Sequence, residues 1–171
     1  MNHPEPDPGA AAATDPSRSD ERPGSVVHPA SIQDAADVVE RIDADEAAAR
    51  EARDRYLVEP ITPSPDQPDR SVAGDALAAD EVVYAQRGSA ILNAGRSEVP
   101  GYGGRLYLTR SRLVLVGQVT VAIQLADVVE TSIGGDRLLL TLRNGDGVEL
   151  DVGQPRLLRT EIAAVRSLGP P

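Results

Sequence analysis

Leu113-Val114-Leu115-Val116-Gly117-Gln118-Val119-Thr120-Val121-Ala122-Ile123-Gln124-Leu125 is the stretch on which the fold turns. From Val119 onward, apolar side chains alternate with Thr120, Ala122 and Gln124, the period of two that puts one face of a strand in a core and the other in water. Residues 113–116 form a second apolar run just ahead of it, separated only by Gly117-Gln118. A connection that short cannot hold a crossover helix, so the two strands must be antiparallel. Working toward the C-terminus, residues 128–133, 137–143 and 148–152 read as strands, divided by Gly134-Gly135 and by Asn144-Gly145-Asp146-Gly147, where glycine supplies positive φ cheaply. Working toward the N-terminus, residues 106–109 precede the turn Arg110-Ser111, and residues 81–92 supply the first strand. Seven strands with such connections predict an antiparallel meander.

The period then changes. Pro155, a favoured first helical residue, opens a segment in which Leu158, Ile162 and Val165 share one helical face, and Gly169-Pro170-Pro171 ends it. The expected fold is mainly β: a seven-stranded antiparallel bent sheet, or partly open barrel, over residues 77–168, whose open corner is capped by a C-terminal α-helix. Residues 31–58 predict a further helix, with Ser31 and Asp34 placed like an N-cap and an N3 acid, and Glu46/Arg50 and Glu51/Arg55 at i,i+4. Its apolar stripe Ile32, Ala35, Val39, Ile42 fades into Glu46 and Arg53, so a coiled coil is not expected. Pro60, Pro63, Pro65 and Pro68 predict a Pro-rich extended linker over residues 59–76. Residues 1–30 have almost no bulky apolar side chains and are expected to be a disordered acidic tail. Residues 1–79 carry 17 acidic residues against 7 arginines, whereas residues 80–171 carry 10 of each, so the whole net charge of −10 sits in the first part.

Composition narrows the chemistry. Cysteine and lysine are absent and the two histidines, His3 and His28, fall in the expected tail. Thiol, Schiff-base and Ser-His chemistry therefore have no partners inside the domain, and neither do the usual zinc sites. No catalytic, cofactor-binding or metal-ligating residue is expected, and the chain reads as a non-enzyme with no cofactor. An acidic tail on a neutral domain with few aromatics argues against nucleic acid. The acidic, Pro-rich start is unlike a signal peptide, and no apolar run approaches membrane-spanning length. A cytoplasmic location is expected, peripheral to the inner membrane face at most.

Gly104-Arg105-Leu106-Tyr107-Leu108-Thr109-Arg110-Ser111-Arg112-Leu113 resembles the Gly-x-Leu-x-Leu-Thr-x-x-Arg-Leu signature of GRAM and bacterial pleckstrin-homology-like domains. Ile123-Gln124-Leu125-Ala126-Asp127-Val128 is similar to that family's Ile-Pro-Leu-x-Asp-Ile step. The resemblance spans roughly residues 77–168 and implies a binding domain that docks on lipid or on protein. Lipid-binding members cluster cations around the first two strands. Arg87, Arg96, Arg105, Arg110 and Arg112 are the candidate ligand-facing residues, although residues 89–104 contain only Arg96 and carry Glu98. Phosphate headgroups need several converging cations. A protein–protein interaction module is thus the first expectation, with weak acidic-lipid binding as the alternative. Residues 113–116 and 138–140 are apolar on both faces, so Val114, Val116 and Leu139 form a candidate interaction surface. Its cover could be the N-terminal helix, a second copy in a homo-oligomer, a different protein, or solvent.

Overall fold

A computed structural model describes residues 29–94 and 101–169, the side chains of residues 29–33, 70, 72 and 94 excepted. Residues 1–28 of the expected tail, and Arg96, lie outside the described residues. The expected sheet is present, with seven antiparallel strands in the order β4-β3-β2-β1-β7-β6-β5. They run β1 Val83–Ala94, β2 Tyr102–Thr109, β3 Arg112–Gly117, β4 Thr120–Gln124, β5 Val128–Gly134, β6 Arg137–Leu142 and β7 Gly147–Val152. A long helix, α1 (Pro29–Val58), and a four-residue helix, α2 (Arg70–Ala73), precede them, and α3 (Pro155–Ser167) follows.

The bend in the sheet comes from β1. Its register against β2 shifts between Arg87 and Ala90, and only beyond that shift, over Ala90–Ala94, does it also pair with β7. A bulge there kinks and twists the strand, so one long strand serves both halves of a curled sheet. The concave side is packed almost wholly with aliphatic residues: Leu92, Leu106, Leu108, Leu113, Leu115, Leu138, Leu140 and Leu150 meet Leu158, Ile162 and Val165 of α3. The helical stripe seen in the sequence closes the open corner as expected. At the signature glycine, Gly104 faces Gly117 across β2–β3, and a Cβ on Gly104 would lie 2.5 Å from the Val116 carbonyl oxygen. Only glycine permits that approach.

The segment between α1 and β1 is extended, but it is not a free linker. Ile61 joins the main core. Gln67 pairs with Val83 as a neighbouring strand would, accepting from its N–H at 3.0 Å and donating to its carbonyl at 2.9 Å. Ala73 and Leu77 then lie on the outer face of the sheet over Val83, Tyr107 and Val114. The four prolines keep residues 59–69 irregular, but α2 and a 3-10 turn at Gly74–Ala76 form within the expected extended linker once the prolines end, and the apolar side chains that remain cover the sheet.

α1 also belongs to the packed unit. Its half-buried and buried residues Ile42, Asp45, Ala49, Ala52 and Tyr56 recur at spacings of three and four. Small alanines let its axis come close to α3, since interaxial distance follows side-chain size. The docked face begins only at Ile42, the last residue of the apolar stripe seen in the sequence; Ala35 and Val39 of that stripe are exposed. No helix among the described residues is long and apolar enough to cross a membrane.

Candidate functional site

The arginines singled out from the sequence do not converge. Arg87, on β1, forms an ion pair with Glu161 of α3 at 2.7 Å and also donates to the carbonyls of Gln86 and Gly153. Burial pushes the Glu161 carboxyl up, and Arg87 partly offsets that. Arg112 grips Glu81 with two nitrogens, at 2.8 and 2.5 Å, and reaches the Ala76 carbonyl at 3.0 Å. That bidentate bond brings the Glu81 carboxyl down to about 2, against the opposing effect of burial. Arg110 donates to the carbonyl of Leu168, at the end of α3, at 3.1 Å. Arg105 is exposed on β2 and makes no ion pair with another described residue. Three of the five candidates thus tie sheet, α3 and the 76–81 segment together. A cavity of about 500 Å³ beside Glu81, Arg110 and Arg112 carries little free charge, because Arg112 and Glu81 neutralise each other.

The apolar candidates are accounted for within the chain. Val114 is fully buried and Val116 half-buried beneath the Ala73–Leu77 segment. The cover is none of those expected from the sequence, but the chain's own 73–77 segment, which lies ahead of β1. Leu139 is half-buried, and a Cβ on Gly134 of β5 would lie 2.9 Å from its Cδ1.

Four other arginines do converge. Arg50 and Arg53 on α1, and Arg156 and Arg159 on α3, are each spaced i,i+3 and so project from one side of their helices. They line a cavity of about 440 Å³ between the helices, floored by Ile133 and Gly135 at the end of β5. Glu46 shares the cavity. The i,i+4 pair that Glu46 and Arg50 could form is absent from the ion pairs of the described residues. A second cavity, of about 250 Å³, adjoins it across the shared residues Arg53, Arg159 and Thr160 and is otherwise lined by Tyr56, Leu57, Ala163 and Ala164. The result is one groove, basic at one end and apolar at the other.

Asp45 builds the groove. The residue before α3, Gln154, has left-handed backbone (φ 59°) and gives the helix no side-chain cap. Asp45, 3% exposed, supplies the cap from α1 instead, accepting from the N–H groups of Arg156 at 2.9 Å and Leu157 at 3.0 Å. Its carboxylate also lies 3.6 Å from the Arg156 guanidinium, which donates to the Gly135 carbonyl at 3.3 Å. Because the first turn of α3 meets the middle of α1, and Arg159 meets Arg53 further along, the two helices run in the same direction. Sequence reasoning missed this site: Arg50 read as the i,i+4 partner of Glu46 and Arg53 only as the place where an apolar stripe fades, and Asp45 and Arg156 lie far apart in the chain. A carboxylate inside the buried stripe of α1 was the one signal available.

No protein-family model and no curated protein sequence matches the chain. Among solved structures it is similar to the C-terminal domain of an unknown protein from Leishmania infantum, with 12% identity and a TM-score of 0.46 over 56% of this chain and 92% of that one. It is also similar to a Vav1 structure described as inhibited by an allosteric inhibitor, with 15% identity and a TM-score of 0.41 over 83% of this chain and 39% of that one.

Proposed function

We propose that the protein is a non-catalytic binding module of the pleckstrin-homology-like kind, related to GRAM domains, and that its ligand is another protein held in the α1–α3 groove. The observation that carries this is the disposition of arginine. Of the cations a lipid headgroup would need, Arg87 and Arg112 are engaged in part-buried ion pairs and Arg110 is tied at the surface to the Leu168 carbonyl. Arg50, Arg53 and Arg159 are exposed around one concave groove and form no ion pair with a described residue. The two-motif likeness and the seven strands followed by a helix support the family relation. The non-catalytic reading rests on the absence of Cys and Lys and on the position of both histidines before α1.

The membrane alternative keeps two exposed candidates, Arg105 on β2 and Arg110, the latter tied to the Leu168 carbonyl. A basic residue near an anionic surface contributes about 1 kcal/mol, and a chain of net charge −10 is repelled by the same surface. A photoreactive residue at exposed Ala163, in the groove, compared with one at Arg105, tests the proposal in the native cell. A discrete protein adduct from position 163 and none from 105 is expected. Adducts from 105 alone, or tight salt-resistant binding of the full chain to acidic vesicles, would reject it.

A further inference from the structure

The groove is basic in one section and apolar in the next, and a ligand that uses both must match that order. Arg50, Arg53, Arg156 and Arg159 surround the first section, and guanidinium forks suit carboxylates and phosphates. Tyr56, half-buried, and Leu57, 80% exposed, mark the second. An exposed leucine beside a cavity is a contact surface that water fills poorly. Helical rise of 1.5 Å per residue puts the section centres about 8 Å apart along α1 and about 5 Å apart along α3. An extended chain covers about 8 Å in two to three residues.

Resting on the binding-module reading above, we infer that the groove takes an extended segment of a partner protein carrying clustered carboxylate side chains followed, two to three residues on, by a bulky apolar side chain. An inorganic anion would use the arginines and leave the apolar section empty. Neither a flat bilayer nor a nucleic-acid duplex can enter a concavity between two helices as an extended chain can, and the few tyrosines of the chain offer little base stacking. Glu46, at the rim of the basic section, opposes one arginine, and Asp45 neutralises part of Arg156. The groove keeps a positive surplus after both.

The full chain is titrated into a fluorescein-labelled Glu-Glu-Glu-Ser-Leu-Leu peptide, whose first leucine lies three residues from the centre of its carboxylate cluster, and followed by anisotropy. Parallel arms use the same peptide with both leucines replaced by serine, inorganic phosphate as competitor, and phosphatidylserine vesicles. Saturable, salt-sensitive binding is expected, weakened at least about tenfold by Arg50→Glu/Arg159→Glu and by loss of the leucines, and unchanged by Arg105→Glu. Arg50 and Arg159 are exposed and make no ion pair among the described residues, so the reversal should leave the melting temperature in place. If it does not, Arg50→Gln/Arg159→Gln replaces it. No saturable binding overturns the inference. So does binding that ignores the leucines and is fully displaced by phosphate, which marks a bare anion site, and so does vesicle binding abolished by the reversal. If the peptide fails while the position-163 protein adduct persists, the ligand class is wrong and the binding-module reading stands; loss of both rejects both.

Discussion

Replacing Asp45 by Ala removes the group that joins α1 to α3. The carboxylate is almost wholly buried and accepts two N–H groups of the first turn of α3, at 2.9 and 3.0 Å, beside the Arg156 guanidinium. Loss of an N-cap costs about 0.5–2 kcal/mol, and leaving partly buried donors without an acceptor costs about 1–3 kcal/mol. These overlap, because the same two N–H groups are counted in each, so about 1–3 kcal/mol is expected. Against a domain stability of about 5–15 kcal/mol, that lowers the melting temperature by roughly 10 °C. Asp45→Asn keeps one acceptor oxygen and should lose about half as much. Asp43→Ala, at an exposed position of the same helix, should stay within about 0.5 kcal/mol. Urea unfolding followed by far-ultraviolet circular dichroism measures all three. A loss below about 0.5 kcal/mol for Asp45→Ala would refute the cap.

Three further outcomes follow from the packing. A chain cut to residues 77–169 uncovers Tyr107 and Val114, so it should melt well below one beginning at residue 59, or associate on size exclusion; equal stability of the two would remove the structural role of the 61–76 segment. Ile162→Asp places an unpaired carboxylate in the core and should abolish cooperative unfolding, since the cost of several kcal/mol rivals the whole stability; a folded, cooperative variant would mean α3 is not core. Glu81, held at about 2 by Arg112, contributes stability that is full above the ordinary carboxylate range near pH 4.5 and is lost as pH falls toward 2. That contribution is at most about 3 kcal/mol, so Glu81→Gln should flatten the acid limb of stability against pH, and an unchanged limb would contradict it.

The sheet was legible because its signal is local. Alternation in residues 119–125, two-residue turns and Asn-Gly or Gly-Gly pairs each dictate geometry within a few positions, and the Leu158/Ile162/Val165 stripe declared its own buried face. The groove was illegible because its signal is not local. Ala49 and Ala52 read as helix formers wherever they stand, and their role as a close-packing face exists only once α3 lies against them. Arg112 looked like a ligand cation until Glu81 was placed beside it, since pairing over 31 positions leaves no periodic trace. Gln67 similarly gave no hint that its amide would stand in for a strand. The prolines, all before residue 69, marked an irregular stretch but not the short helical turns at 70–76 that follow it, and irregular backbone can still be packed backbone.

Amide hydrogen exchange across α1 tests most directly the claim that helix and domain form one unit with a groove between them. Amides from residues 45–56 should exchange within about tenfold of those in α3, because both open only with the packed unit, whereas residues 34–41, whose side chains are exposed, should exchange much faster. Uniformly fast exchange through residue 56, with α3 still protected, would show α1 undocked and leave no groove for a partner to enter.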